Sequence, residues 1–310
     1  MHYPPQVVAS LPELMKLEYL VSRAGLMPKK PVYSVLAGPY ASKLRGRGLD
    51  FEEARLYVNG DDIRNIDWKV TARTKKTHTK VFNEEKERPN FTIVDQSSSM
   101  FFGSVEFTKS VIAAQLASLS GFKALSKGDR FGGMIISDDT TELVNPKRNR
   151  KSVLRFLQLM VEANEKAAQR EKIHAEGNTL NKALFQAIKS ISHDNVIIVI
   201  SDFSSADEKT VQHLIKLDQH NDVIVAVIND PMEEAIPDNP FLFSDGDKQV
   251  LWKKGKQKSH ETFREQFEDH ISFFKKKLTT YKIPVVSLDT LSSANEQLKT
   301  VFSTFANRHK

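Results

Sequence analysis

Short apolar runs alternate with longer amphipathic stretches from about residue 89 to the end of the chain. Five of the apolar runs are typical of β-strands: Phe91–Val94, Phe131–Ser137, Val196–Ile200, Val223–Ile228 and Pro284–Leu288. The third run is apolar at every position, which is the pattern of a strand buried on both faces. Strands of this kind occur mainly in parallel sheets, so the pattern predicts a parallel arrangement.

Apolar residues recur at helical spacing between these runs. The predicted helices cover residues 105–125, 152–168, 208–219 and about 260–281, and others begin at Thr179 and at about Ala294. Thr179 is expected to be the N-cap of its helix. Since strands and helices alternate, the predicted fold class is α/β, a doubly wound and mainly parallel sheet with helices on both faces.

Two segments depart from this alternation. Residues 1–88 are predicted to form an N-terminal region, with a helix over Leu11–Ala24, an irregular charged part and a strand over Thr77–Phe82. A boundary at Pro89 separates this region from an α/β domain over residues 89–310. Within that domain, residues of about 230–258 are interpreted as an insertion that contains a β-hairpin.

The amino-acid composition excludes some kinds of chemistry and makes other functions unexpected. The chain has 310 residues and no cysteine, which excludes disulfides, thiolate metal sites and cysteine nucleophiles. A net charge of +6 arises from 45 basic and 39 acidic residues, and no aromatic residues interleave with the lysine runs, so nucleic-acid binding is not expected. No signal peptide or membrane span is predicted, and a cytoplasmic location is expected.

Candidate chemistry lies where predicted strands end. Asp95, Ser97 and Ser99 follow the first strand of the domain, and Asp202 follows the fully apolar strand. Thr179 stands at a helix start, and the parallel order would bring all five residues to one edge of the sheet. Their oxygens suit Mg²⁺, or Mn²⁺ or Ca²⁺. The alternative is that they only cap helices and strand ends. Asp138 and Asp139 occupy a separate turn and are expected to be solvated.

The spacing Asp95-x-Ser97-x-Ser99, with a distant threonine and a distant aspartate, resembles the metal-ion-dependent adhesion site of von Willebrand factor A domains. That resemblance implies that Ser97, Ser99 and Thr179 are hydroxyl ligands. It also implies that Asp95 and Asp202 bind the cation directly or through water. A von Willebrand factor A-like fold is therefore expected.

Upstream motifs resemble one bacterial branch of these proteins, the domain-of-unknown-function 58 family. They are Gly46-Arg-Gly-Leu-Asp-Phe51 and a charged segment with Gly60, Asp61, Asp62, Arg64, Asp67, Trp68 and Arg73. The family is often encoded beside a MoxR-type AAA+ ATPase. The resemblance implies a protein-binding adaptor or co-chaperone that works with this ATPase on a client protein, and no catalysis. The charged segment either presents a docking surface or forms ion pairs that fix a fold around Trp68.

An enzymatic alternative uses Asp95 as the nucleophile of a metal-dependent phosphatase or phosphotransferase. Phosphatases of the haloacid-dehalogenase type have a second acid two residues further on, where this chain has Ser97. The chain also lacks the short motifs of serine hydrolases and of zinc proteases. The sequence therefore favours a binding function over an enzymatic one.

Overall fold

The computed structural model describes residues 3–23, 50–83, 88–169, 178–234, 241–244, 249–252 and 271–308. The chain divides into two compact units, one of residues 43–88 and one of residues 1–42 with 89–310. The predicted N-terminal region of residues 1–88 is thus shared between the units, because helix α1 (Leu11–Arg23) belongs with the α/β domain. Leu14 of this helix lies in the core of that domain.

The unit of residues 43–88 is built on a two-stranded antiparallel sheet. Strand β1 (Asp50–Leu56) pairs with β2 (His78–Asn83), which corresponds to the strand predicted over Thr77–Phe82. A 3₁₀ turn (Ile63–Asn65) and helix α2 (Trp68–Thr74) lie between the two strands in the sequence. The glycine of the Asn59-Gly60 turn has a φ of 107°, a backbone conformation that glycine adopts without strain.

The other unit contains a six-stranded sheet. Its strands in chain order are β3 (Asn90–Asp95), β4 (Phe131–Ile136), β5 (Thr141–Lys147), β6 (Val196–Ser201), β7 (Asp222–Ile228) and, near the C-terminus, Val285–Leu288. In the sheet, the strand Val285–Leu288 lies at one edge and is followed by β7, β6, β3, β4 and β5. All neighbours are parallel except β4 and β5. The prediction of a mainly parallel sheet is confirmed.

Helices cover both faces of this sheet. One apolar core includes residues of α1, α3 (Lys109–Lys127), α4 (Arg150–Ala168) and the C-terminal helix Ala294–Arg308. The other includes residues of α5 (Thr179–Ser190), α6 (Glu208–Asp218) and the helical residues 271–280. Neighbouring residues of β3 point to opposite cores, Ile93 to the second and Val94 to the first. This arrangement confirms the doubly wound α/β fold.

The strand order creates a switch point between β3 and β6. From β3 the chain continues to β4 and β5 on one side of the sheet, and it then crosses to β6 and β7 on the other side. In open α/β sheets, ligands bind in the crevice beyond the carboxyl ends of the strands at such a point. Asp95 ends β3 and Asp202 directly follows β6, so both candidate acids lie at this crevice.

Helix α3 begins later than the sequence pattern indicates. It was expected from residue 105, but its N-cap is Thr108, whose hydroxyl accepts a hydrogen bond from the Val111 N–H. The preceding residues are bound elsewhere: the Phe107 N–H donates to the Thr290 carbonyl, and Ser104 donates to Asp230. These contacts hold the segment as a loop and delay the helix.

The predicted hairpin is present as β8 (Phe241–Ser244) paired antiparallel with β9 (Gln249–Trp252), after the short helix α7 (Pro231–Glu234). Parts of several predicted features lie outside the described residues. They are residues 46–49 of the upstream motif, residues 235–240, 245–248 and 253–258 of the predicted insertion, and residues 260–270 of a predicted helix. Within the described ranges, every helix is too short or too polar to cross a membrane.

Candidate functional site

Asp95 is buried at the carboxyl end of β3, with 4% of its surface exposed. Its two carboxylate oxygens accept hydrogen bonds from neutral groups: Oδ1 from the Ser97 N–H at 2.9 Å and Oδ2 from the Ser201 hydroxyl at 2.7 Å. Burial, and next the negative charge of Asp202, raise the pKa of Asp95 to about 6. The site therefore holds a buried carboxyl whose charge is poorly solvated and whose bonded partners, within the described ranges, are neutral.

The two predicted serine ligands lie together next to Asp95. Ser97 is the N-cap of a 3₁₀ turn (Ser98–Met100), and its Oγ lies 3.2 Å from the Oγ of Ser99. This separation is close to the roughly 3 Å between adjacent ligand oxygens that an octahedral Mg²⁺ site requires. Ser97 is buried and Ser99 is exposed, so this pair of hydroxyls connects the buried carboxyl with solvent.

Asp138 fixes the turn that carries these serines. Its Oδ1 accepts hydrogen bonds from the backbone N–H of Ser98 at 3.0 Å and from the Ser98 hydroxyl at 3.1 Å. Asp138 is half-buried and Asp139 is exposed, so the turn is partly solvated and Asp138 in addition has a structural contact. Since β4 lies beside β3, the turn after β4 can reach the turn after β3, and Asp138 holds Ser98 there.

Thr179 is not the N-cap of α5. The cap is Asn178, whose Oδ1 accepts a hydrogen bond from the Asn181 N–H, and Thr179 is the first residue of the helix. Asn178 also donates from Nδ2 to the Ser205 carbonyl at 2.6 Å. This contact ties the start of α5 to the loop that follows Asp202, so Thr179 lies at the crevice side of the sheet. A role of its hydroxyl as a ligand stays a prediction.

Asp202 has a different environment from Asp95, although it is equally buried at 3% exposure. Its Oδ2 accepts a hydrogen bond from the ammonium group of Lys109 at 2.8 Å, and its Oδ1 accepts one from the Ser204 N–H at 3.0 Å. Burial alone would raise the pKa of Asp202, but the charge of Lys109 and these hydrogen bonds prevail and lower it. Asp202 is therefore an ionised carboxylate with a bonded cation.

Lys109 and Glu233 also belong to this site, although no motif in the sequence predicts either residue. Lys109 is 2% exposed, and its Nζ donates to Glu233 Oε1 at 2.6 Å as well as to Asp202. Burial opposes the charged form of the lysine, but the two carboxylates outweigh burial and raise its pKa. One sequence signal was available: Lys109 stands three and seven residues before the buried Ile112 and Leu116, on the apolar face of α3.

Glu233 connects the lysine to a further polar group. Its Oε2 accepts a hydrogen bond from the Asp230 N–H at 2.9 Å. The buried Asp230 carboxylate accepts hydrogen bonds from Ser104, which precedes α3, and from the Thr290 hydroxyl at 2.6 Å. Burial by itself would raise the pKa of Asp230, but these hydrogen bonds outweigh burial and lower it. The ends of several strands are thus linked through one set of buried polar contacts.

The backbone after β6 is held in an uncommon conformation. Phe203 has a φ of 55°, in the left-handed region that side chains other than glycine rarely adopt. Its ring is fully buried and stacks on Phe274, with 4.7 Å between ring centroids. The Phe203 N–H donates to the Ser201 hydroxyl at 3.1 Å, and this hydroxyl in turn donates to Asp95. The turn therefore orients the hydroxyl that contacts Asp95.

The acids of the charged upstream segment make local contacts. Asp61 binds Arg55 through two hydrogen bonds of 2.6 and 2.8 Å, and Asp62 binds Arg64 at 2.7 Å. Asp67 is the N-cap of α2. These contacts agree with the interpretation that ion pairs fix the fold, but Trp68 is 69% exposed and is not its centre. The docking role of this segment, which also contains Gly60 and Arg73, stays a prediction.

The chemistry of the crevice fits a hard cation at Asp95, Ser97 and Ser99. These residues offer a carboxylate that is hydrogen-bonded to neutral groups and two adjacent hydroxyl oxygens. In the described part of the chain, no group of three or more histidine or acidic residues suits a metal ion, so the hydroxyl oxygens are essential to the hypothesis. Asp202 fits less simply, because Lys109 already occupies one of its oxygens.

A comparison with known families identifies a model that matches residues 53–273, described as protein of unknown function DUF58. An uncharacterized protein of Mycobacterium tuberculosis and one of Mycobacterium bovis are each 29% identical over 164 residues, which is 52% of this chain and 52% of either relative. The chain therefore matches about half the length of these curated relatives.

Solved structures with a similar arrangement include the conserved hypothetical protein BatB from Bacteroides thetaiotaomicron. It is 17% identical with a TM-score of 0.42, over 71% of this chain and 99% of that one. The SpRpn10 VWA domain is 13% identical with a TM-score of 0.32, over 71% and 94% of the two chains. A von Willebrand factor type A structure from Catenulispora acidiphila is 13% identical with a TM-score of 0.33, over 74% and 43%.

Proposed function

Because this chain belongs to the family of proteins of unknown function DUF58, we propose that it is a protein-binding module whose recognition site is the crevice at Asp95. In this proposal Asp95, Ser97 and Ser99 hold a divalent cation, with Thr179 and Asp202 as further ligands. The cation, Mg²⁺ or alternatively Mn²⁺ or Ca²⁺, would offer a coordination position to an acidic side chain of a partner.

One observation carries the proposal, namely the environment of Asp95. A carboxylate that is buried beside another acid is costly unless a positive charge balances it. The hydrogen-bond partners of Asp95 are Ser97 and Ser201, and both are neutral. A divalent cation beside the Ser97 and Ser99 hydroxyls would supply the balancing charge. The crevice also opens to solvent at Ser99, where a partner could reach it.

A thermal unfolding series tests the cation. We expect MgCl₂ or MnCl₂ to raise the Tm of the wild type, because a ligand that binds only the folded state stabilises it, by about 2.7 kcal/mol at a concentration of a hundred times Kd. Asp95→Asn and Ser97→Ala should lose most of this shift. Ser126→Ala removes an exposed serine hydroxyl and is the control for Ser97→Ala. Equal shifts in the wild type and both site variants would contradict the proposal.

The partner that family resemblance suggests is a MoxR-type AAA+ ATPase, with the chain acting as its adaptor or co-chaperone toward a client protein. We expect a purified ATPase of this type from the same genome to bind the chain with Mg²⁺ present. Binding should weaken at least tenfold with EDTA or with Asp95→Asn, because an acidic partner side chain would lose its cation. Biolayer interferometry measures the affinity, and Ser126→Ala should bind as the wild type does.

A partner that binds equally well with EDTA would contradict the metal-dependent contact, although not the adaptor role. Metal-dependent phosphate release from p-nitrophenyl phosphate, lost in Asp95→Asn, would instead favour the phosphatase alternative. The burial of Asp95 argues against that alternative, because a phosphate ester is larger than a metal ion and its phosphorus atom would have to contact the nucleophilic carboxylate. We therefore expect no such release.

A further inference from the structure

Lys109 places a positive charge of the protein itself at the candidate metal site. Its ammonium lies 2.8 Å from Asp202 Oδ2 and 2.6 Å from Glu233 Oε1, and it is almost completely buried. A lysine loses much hydration free energy on burial, so it is tolerated here only because two carboxylates bind it. The pair of acids therefore holds this ammonium firmly in the crevice.

Both oxygens of Asp202 are engaged in this arrangement. Oδ1 accepts the Ser204 N–H, and Oδ2 accepts the hydrogen bond from Lys109. A divalent cation close to Asp202 would be repelled by the ammonium and would compete with it for the carboxylate. Asp95 has no such competitor, since its bonded partners are Ser97 and Ser201.

We propose that the Lys109 ammonium and a divalent cation are alternative partners of the Asp202 carboxylate, so that Lys109 sets the metal affinity of the site. The proposal rests on the proposed function, in which the crevice binds a metal. When a cation takes Asp202, Glu233 remains as the second carboxylate for Lys109. The lysine thus acts as a built-in competitor that offsets part of the negative charge of Asp202 and Glu233 when no metal is bound.

Replacement of Lys109 by a cation at Asp202 would also affect residues beyond the crevice. Glu233 accepts the Asp230 N–H, and Asp230 binds Ser104 in the loop before α3 and Thr290 after the last strand. A lysine that leaves Asp202 would interact with Glu233 alone, at the start of the segment that leads to the β8 and β9 hairpin. Metal binding and the position of residues 230–234 are therefore expected to be coupled.

Direct titration with MnCl₂ tests the competition, with free Mn²⁺ measured by electron paramagnetic resonance. The informative variant is Lys109→Met with Glu233→Met, because it removes one positive and one negative charge and leaves the net charge of the crevice unchanged. We expect it to bind Mn²⁺ on the order of tenfold more tightly than the wild type. Adding Asp202→Asn should abolish this gain.

A matched control is Lys277→Met with Glu208→Met, which removes an exposed ion pair of the same kind, with its Nζ and Oε2 3.3 Å apart. It should bind Mn²⁺ as the wild type does. If the buried double variant does not fold, as judged by circular dichroism, the single variant Glu233→Gln replaces it, because it keeps the lysine and its bond to Asp202. Glu233→Gln should bind Mn²⁺ more weakly than the wild type, since Asp202 is then the remaining carboxylate partner of Lys109, and binding as tight as that of the wild type would overturn the competition.

The outcomes separate this inference from the proposed function. Binding to the wild type with no gain in the double variant overturns the competition and leaves the metal-dependent function in place. Binding to the double variant alone supports the competition and contradicts metal binding by the free wild-type protein. No binding to either protein overturns both, and weaker binding to the double variant would mean that Lys109 supports the metal and would overturn the competition.

Discussion

The ends of β3 and β6 are adjacent in the sheet and carry the same buried group, but they stabilise it in opposite ways. Asp95 accepts hydrogen bonds from Ser97 and Ser201, and its pKa is raised. Asp202 is bonded to the ammonium of Lys109, and its pKa is lowered. Burial is nearly equal at the two positions, so the difference comes from the bonded partner.

The comparison shows that one crevice contains a buried carboxylate paired with an ammonium group and another that is bonded to neutral groups. The carboxylate of Asp202 is neutralised by a residue of the same chain, and a ligand that uses this carboxylate must displace the residue. Among the described residues, the groups bonded to the carboxylate of Asp95 are neutral dipoles, so a cation would approach it without displacing one of them as a charged partner. The recognition chemistry of the crevice is therefore expected to centre on Asp95.

The largest effect should come from removing the cation on the Asp202 side. Lys109→Met leaves the carboxylates of Asp202 and Glu233 without their bonded ammonium, and loss of one partner of a buried ion pair typically costs about 3–5 kcal/mol. We expect a loss of that size in the free energy of unfolding, measured by urea denaturation in EDTA at neutral pH. The Asp95 side should behave differently: Asp95→Asn should be neutral or stabilising.

The double variant with Glu233→Met is the control for this stability measurement. It should recover part of the loss, because one of the two unpaired carboxylates is removed with the lysine. An equal loss in Lys109→Met and Asp95→Asn would remove the distinction between the two strand ends. A negligible loss in Lys109→Met would mean that water reaches the Lys109 site and solvates Asp202.

A smaller effect is expected from the pH dependence of stability on the Asp95 side. The pKa of Asp95 in the folded state, about 6, lies above the ordinary aspartate value of 3.8, so the folded state binds the proton more tightly than the unfolded chain. The stabilising contribution is fully present below about pH 3.8 and is lost as the pH rises through about 6. At about 1.4 kcal/mol for each unit of difference between the folded and unfolded pKa, this contribution is at most about 3 kcal/mol.

This contribution is isolated by measuring the free energy of unfolding of the wild type and of Asp95→Asn from about pH 4 to about pH 7 in EDTA. The wild type should lose stability relative to the variant as the pH rises. The contribution of Asp202 to the free energy of unfolding depends on pH in the opposite direction. Its pKa is lowered in the folded state, so its stabilising contribution is present above pH 3.8 and is lost as the pH falls through the lower folded-state pKa. A difference that does not change with pH would contradict the assigned environment of Asp95.

The fold class was accessible from the sequence because its signals are local. A strand such as Val196–Ser201 shows its double burial in five successive apolar residues, and α4 shows its apolar face in a simple repeat. The starts of helices are harder to predict, because they depend on contacts with residues distant in the sequence. Residue 105 was predicted as the start of α3, but contacts of the preceding loop with Thr290 and Asp230 decide the true start at Lys109, and those residues are distant in the sequence.

The candidate site was predictable only in part for the same reason. Strand ends identify Asp95 and Asp202, and the parallel sheet brings them together. The partner of Asp202 could not be identified in this way, because Lys109 is separated from Asp202 by 93 positions and belongs to no recognisable motif. A lysine at a helix start is usually solvated, and only its alignment with Ile112 and Leu116 indicated otherwise.

The left-handed turn at Phe203 has a consequence for the thermodynamics of association. Such a conformation costs about 1–3 kcal/mol for a residue other than glycine, and here packing of the ring on Phe274 holds it. The turn is thus preorganised by the core, and it orients Ser201 against Asp95 before any ligand arrives. A partner that binds at this crevice would lose little conformational entropy from the turn, so its affinity would depend on the contacts it makes.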